Sequence, residues 1–286
     1  MKNNFRIGLC QMNVVENKNS NLDKAKDMIE QAAQEGAEMV VLPEMFNCPY
    51  DINKFKTYAE SCISSKSLKV VSNAAKDHGV YLVAGSIPEL LDGKIYNSCF
   101  IFDRKGQILD VHRKMHLFDV DIPDIKFKES ETITAGNRVT VVDTNPIKIG
   151  VAICYDIRFP ELFRLMALKN SDLIVVPGAF NMTTGPAHWK TTARARAIDN
   201  QTYVAAVSPA SNNDLSYVAY GHSLIVDPWG KVIGEAGSGE EIVYATIDIS
   251  YLKDVREELP LLKNRRTDIY ELIEVEKKNK TRNSSS

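Results

Sequence analysis

The sequence has no apolar run approaching the roughly 20 residues that a membrane-spanning helix requires; its 44% apolar residues are dispersed over 286 positions. The stretch Met1–Met12 carries only a short apolar segment, without the long apolar region and cleavage site of a secretory signal. Charge of one sign is lacking too. A formal net charge of -2 gives no strong field to attract nucleic acid or a membrane surface. Cysteine is scarce and odd in number (Cys10, Cys48, Cys62, Cys99, Cys154), and the wide spacing fits a reducing, cytoplasmic setting and not a disulfide framework. Neither the G-x-x-x-x-G-K-[ST] phosphate loop nor G-x-G-x-x-G occurs. His112 and His116 are four apart, but no acid follows His112 as H-E-x-x-H requires, and their flanks read as strand and turn. No metal is expected. What is left is a globular protein acting on small molecules.

Short apolar runs alternate with helical patterns. Arg6–Met12 reads as a strand, Asn21–Gln34 as a helix, Met39–Leu42 as a strand ended by Pro43, Ser67–Asp77 as a helix and Val80–Ser86 as a strand. Ser98–Phe102 and Gln107–His112 form a hairpin turning at Arg104–Gly106. This is α/β patterning whose continuous apolar strands expect cover on both faces. The second half then repeats the first. Ile7-Gly8-Leu9 is echoed by Ile149-Gly150-Val151, and Ala37–Phe46 by Ser171–Phe180. Tyr81–Ser86 matches Tyr203–Ser208, and Tyr96–Gly106 aligns without a gap on Tyr220–Gly230. Four matches in one order, with no Gly/Ser/Pro-rich linker, indicate two related halves packed as one pseudo-symmetric domain over residues 1–270. From 271 to 286 the chain is polar and is expected to be a disordered tail.

Three polar residues stand at the ends of apolar segments, where sheets present ligand sites. They are Glu44 after Met39–Pro43, Lys114 after Ile108–His112, and Cys154 closing Ile149–Ile153. Glu44 has Gly178 as its counterpart in the second half, so it breaks the internal symmetry. A thiol becomes nucleophilic when a neighbouring base takes its proton. A glutamate can take that proton and return it to an amine leaving group. A lysine ammonium, with the N–H of Tyr155, can offset charge developing on a carbonyl oxygen. By themselves these positions also fit a buried core thiol and two surface charges. A Cys/His pair would need one of His78, His112, His116, His188 or His222; His116 and His188 stay open, with Glu44 the better base.

Three motifs decide between these readings. Leu42-Pro43-Glu44-Met45-Phe46, His112–Phe118 around Lys114, and Gly150-Val-Ala-Ile-Cys154-Tyr-Asp-Ile-Arg-Phe-Pro-Glu-Leu162 resemble those of the nitrilase (carbon–nitrogen hydrolase) superfamily, over nearly the whole chain to about residue 270. The resemblance implies a four-layer αββα sandwich of two related halves, a Glu44–Lys114–Cys154 triad, and a second glutamate, matched by Glu129 in Phe127–Ser130, that aligns the lysine and the substrate carbonyl. It implies no cofactor and a homodimer or larger assembly. Within the superfamily, Phe46–Tyr50, His116–Pro123 and Cys154–Leu162 look most like the ω-amidase branch, which acts on 2-oxoglutaramate and 2-oxosuccinamate. Arg158 is the candidate partner for such a substrate's distal carboxylate, with a structural ion pair as the alternative. The segment Pro123–Glu129 is a residue shorter than the ω-amidase pattern. A related amidase acting on deaminated glutathione, an N-carbamoyl amino acid or a nitrile is the second reading, and a non-catalytic binding relative the third.

Overall fold

The structure is a computed structural model and describes residues 4–122 and 125–275. The N-terminal half runs β1 (Asn4–Gln11), α1 (Lys18–Gln34), β2 (Met39–Val41), α2 (Ile52–Tyr58), α3 (Lys66–His78), β3 (Tyr81–Val83), β4 (Ile87–Leu91), β5 (Lys94–Phe102), β6 (Ile108–Arg113), β7 (Asp119–Ile122) and β8 (Ile125–Lys128). The C-terminal half runs β9 (Thr140–Asp143), β10 (Lys148–Val151), α4 (Pro160–Leu168), β11 (Leu173–Pro177), α5 (Thr184–Asn200), β12 (Tyr203–Val207), β13 (Leu224–Val226), β14 (Val232–Glu235), β15 (Glu241–Asp248) and α6 (Ile249–Glu258).

Each half builds one sheet in the same way. In the first, β1, β2 and β3 are parallel, β5 returns antiparallel on β3, and β4 and β6 both pair with β5. In the second, β10, β11 and β12 are parallel, followed by antiparallel β13 and β14, with β9 on the other edge. The registers reproduce the sequence repeat residue for residue. Gly8 pairs with Val40, which pairs with Leu82; Gly150 pairs with Ile174, which pairs with Val204. The last strand, β15, crosses back to pair with β1, so neither half is complete alone.

Strand periodicity sorts the core into layers. Ile7, Leu9, Met39, Val41, Val83 and Ile101 face the second sheet, while Cys10, Val40, Leu42, Leu82 and Phe100 face α1 and α3. On the far side α4 and α5 cover the second sheet with Phe163, Met166, Trp189 and Ala193. Each fully buried aliphatic or aromatic side chain contributes about 1.5–3 kcal/mol. Close helix–sheet approach needs the two glycines of the repeat. A Cβ on Gly8 would lie 3.3 Å from Ala32 Cβ, and one on Gly150 only 2.7 Å from Met166 Sδ. The result is the four-layer αββα sandwich.

Local signals set the boundaries. Asn17 caps α1 through Ser20 N, which starts that helix before Asn21, and Ser65 caps α3 through Leu68 N. The strand expected over Val80–Ser86 pairs only as far as Val83. Gly85, at φ +51°, turns the chain where a Cβ would meet Pro43 O at 2.0 Å. At the C-terminus, Glu274 accepts from Val139 N at 2.8 Å and pairs with Lys169. The expected tail from 271 is therefore anchored there, and its remainder, 276–286, lies outside the described residues. Of the shortened segment Pro123–Glu129, Pro123 and Asp124 also lie outside them.

Candidate active site

Each site residue sits just past a strand end, where backbone pairing fixes its base. Glu44 follows β2 on a turn in which Ser86 N donates to Pro43 O and Met45 N to Ser86 Oγ. Lys114 follows β6, tied by its own N–H to Asn97 O at 2.9 Å and by its carbonyl to Gly136 N at 2.8 Å. Gly136 has no alternative here, since a Cβ would meet Arg113 O at 2.1 Å. Glu129 opens a short turn after β8, and Cys154 opens another after β10. Cys154 has φ +47°, an unfavourable region for a residue with a side chain. The turn holds the thiol clear of the strand.

The structure brings these four residues together. Lys114 Nζ lies 3.0 Å from Glu44 Oε1 and 2.8 Å from Glu129 Oε2, and donates to Tyr50 Oη at 3.2 Å. Asn97 Nδ2 donates to Glu44 Oε1 at 2.8 Å, and Ala179 N to Glu44 Oε2 at 2.8 Å. Glu129 accepts from Phe118 N at 2.7 Å and from Tyr50 Oη at 3.3 Å. The Cys154 thiol interacts electrostatically with Glu44, Lys114 and Glu129. Glu44, Lys114 and Glu129 are fully buried, so every charge in the cluster leans on another.

Burial sets the protonation. It pushes the Glu44 carboxyl above its ordinary range, with Lys114 pulling down and Glu129 pushing up. Burial alone would strip the Lys114 proton, but Glu129 and Glu44 outweigh it and hold the ammonium well above its ordinary range. Burial and then the Glu44 carboxylate push the Cys154 thiol up, against Lys114. The resting thiol is therefore protonated. One ammonium between two carboxylates leaves one net negative charge, and a bare thiolate would double it. Moving the thiol proton onto Glu44 leaves the total unchanged, which makes Glu44 the group able to unmask the nucleophile.

Cys154, Tyr155 and Arg158 line one narrow cleft with Phe118, Phe180, Thr184 and Tyr217. Arg158 lies over the Phe180 ring at 5.0 Å and has Nη1 3.2 Å from His188 Nδ1. No carboxylate pairs with it among the described residues, so the structural ion pair is not formed. His188 is thus beside Arg158, and His116 is taken up elsewhere: its Nδ1 lies 2.7 Å from Asp156 Oδ1 and its ring stacks on Phe159.

A carbon-nitrogen hydrolase family model matches residues 6–257. The chain belongs to the carbon–nitrogen hydrolase family. The zebrafish (Danio rerio) protein named omega-amidase NIT2 is 51% identical over 273 residues, covering 95% of this chain and 98% of that one. The human omega-amidase NIT2 is 46% identical over 93% of this chain and 96% of its own. Among solved structures, Saccharomyces cerevisiae Nit3, of branch 10 of the nitrilase superfamily, superposes with a TM-score of 0.86 at 44% identity, covering 93% of this chain and 98% of that one. The fold and the amidohydrolase class expected from the motifs both stand.

The site also includes residues that the sequence does not single out. Asp156, fully buried, accepts from Ile153 N (3.0 Å) and His116 N (2.8 Å) and contacts His112 Nε2 (3.3 Å) as well as His116 Nδ1. It thereby pins the Cys154 turn to both residues that bracket Lys114. These bonds hold the Asp156 carboxyl well below the usual range despite burial. The four-residue spacing of His112 and His116 was the available signal, and its partner is this carboxylate. Asn97 and Tyr217 come from remote segments that no local pattern marks, and Tyr50 ends the Phe46–Tyr50 word without anything there to show its contact with Lys114.

Proposed function

We propose that this hydrolase is an ω-amidase that releases ammonia from the terminal amide of a short oxo-dicarboxylic acid, of the 2-oxoglutaramate and 2-oxosuccinamate type. The observation that carries this reading is one cleft holding both a thiol beside a buried Glu44–Lys114–Glu129 cluster and Arg158, a cation that no described carboxylate engages. The names of the relatives from zebrafish and human support the same substrate class.

In this scheme Glu44 takes the Cys154 proton and Sγ attacks the amide carbon. Lys114 Nζ and Tyr155 N–H stabilise the oxyanion, and Glu129 keeps Lys114 aligned. Glu44 then passes its proton to the leaving nitrogen, the C–N bond breaks, and ammonia departs from a thioester on Cys154. Glu44 next takes a proton from water as the hydroxyl joins the acyl carbon; the C–S bond breaks and the proton returns to sulfur. Arg158 holds the distal carboxylate in a charge-assisted pair. No cofactor takes part, and the enzyme works as a homodimer or larger assembly in the cytoplasm. No helix among the described residues is long and apolar enough to cross a membrane.

Ammonia release should be fastest with 2-oxoglutaramate and its lower homologue in a panel containing deaminated glutathione, N-carbamoyl amino acids and nitriles, and absent with Cys154→Ala. Faster turnover of another class, or a Cys154→Ala enzyme as active as the parent, overturns the assignment. A wholly inert panel points to a binding protein. A monomer mass by light scattering refutes the assembly.

A further inference from the structure

A second cavity reaches the cluster from behind. It is bounded by Glu44 at its inner end and by Asn212 and Leu215 at its half-buried outer end, with Val14, Met45, Ala210 and Ala219 along its walls. Two residues, Ala179 and Tyr217, line both this cavity and the cleft in front of Cys154. The two spaces meet at these residues. Tyr217 Oη donates to Ala179 O at 2.5 Å, its ring packs against Tyr50 at 4.8 Å, and Ala179 N donates to Glu44 Oε2. The front cleft therefore opens on the sulfur and the back cavity on the base.

We infer that the back cavity is the route by which the hydrolytic water reaches Glu44 while the acyl group occupies the front cleft. The inference rests on the thioester reading above. Their linings separate the chambers. The front holds Arg158 and Thr184, groups suited to a charged substrate, whereas the back is walled mainly by carbon and carries no cation. An anionic acyl chain has nothing to hold it there. The back cavity has room for about one water at a time. Once the thioester forms, its tail lies between Cys154 and Arg158 and closes the front. Deacylation still needs a water beside Glu44: one proton goes to the carboxylate, the hydroxyl goes to the acyl carbon, and the released thiolate recovers the proton. Among the described residues, the back cavity offers that water a way to the base that does not pass the acyl group.

The route is tested by filling the cavity at positions away from the cluster. Ala219→Leu adds bulk to its wall, and Leu215→Phe narrows its half-buried mouth where strain is more easily relieved. Either variant should show an initial burst of about one ammonia per active site, then steady-state turnover slowed about tenfold to 10²-fold. The acyl adduct on Cys154 should accumulate in intact-protein mass spectra. If Ala219→Leu fails to fold, Leu215→Phe alone carries the test. Unchanged turnover in a folded variant, or slowing without burst and adduct, overturns the inference. Parent enzyme that releases ammonia while neither it nor any variant ever shows an adduct, together with an active Cys154→Ala, points instead to failure of the thioester reading itself.

Discussion

Replacing Asp156 by asparagine removes one charge and almost no volume, yet it should cost more than most single changes in this fold. The carboxylate faces two backbone donors, Ile153 N on Oδ2 and His116 N on Oδ1, with a histidine nitrogen beside each. An asparagine offers only one acceptor oxygen. Whichever way the amide is turned, its NH2 confronts a buried backbone N–H. The change loses a charge-assisted hydrogen bond, about 1.5–3 kcal/mol, and strands a buried donor, about 1–3 kcal/mol. The expected loss is thus about 2.5–6 kcal/mol, measured by urea unfolding at neutral pH with equal slopes. The pH dependence has a defined sign. Because the folded state holds the Asp156 carboxyl below its ordinary range, its contribution is fully present above the unfolded value, about pH 4, and is lost as pH falls through the folded one. The gap between parent and variant should therefore narrow on acidification below that point. A loss under about 1 kcal/mol, smaller than one ordinary charged hydrogen bond, or a gap that widens in acid, would refute the claim that this carboxylate holds the nucleophile turn.

Other consequences are nearer the chemistry. Glu44→Gln should lower kcat by about 10²–10⁴-fold; near-parental kcat would remove Glu44 as the base. In the parent, the acid limb of kcat/KM should lie above the ordinary glutamate range because burial raises Glu44, and an acid limb at or below that range contradicts it. Lys114, held well above its ordinary range, should impose no loss of activity up to about pH 10. Arg158→Gln should raise KM for the anionic ω-amide by about tenfold or more, as loss of a charged hydrogen bond predicts, while a small neutral amide is turned over as before. An equal effect on both substrates would mean that Arg158 supports the turn and not the substrate.

The architecture was legible because it is written twice. The paired segments around Gly8 and Gly150, and around Tyr81 and Tyr203, fall at matching registers in two sheets, so the repeat reported real topology. The β4–β5 hairpin escaped the reading although Asp92-Gly93, both at positive φ, is the favoured signal for a tight hairpin turn. The inner ring of the site was legible from its motifs. Its supporting groups were less so: Tyr50 and Phe118 stand in motif words that do not reveal their contacts, Asn97 lies in an unmarked stretch of β5, and Ala179 N reaches Glu44 only when the two sheets close. A backbone donor such as Ala179 N leaves no mark in its own side chain at all.

The break in symmetry at Glu44 turns out to have two complementary sides. Its counterpart Gly178 is no mere vacancy, because a Cβ there would stand 3.1 Å from Cys154 Cα and equally close to the Trp189 ring. Cys154 occupies a strained turn that passes directly over this position, so the second half gives up a side chain to seat the nucleophile. The first half keeps a side chain at the same point, and Lys114 Nζ, Asn97 Nδ2 and Ala179 N all donate to it. Exchange would fail both ways. A side chain at 178 would displace the turn, and a glycine at 44 would leave Lys114, Asn97 Nδ2 and Ala179 N around an empty, buried space. Duplication thus supplied two equivalent strand ends facing one another, and the chemistry required that they cease to be equivalent.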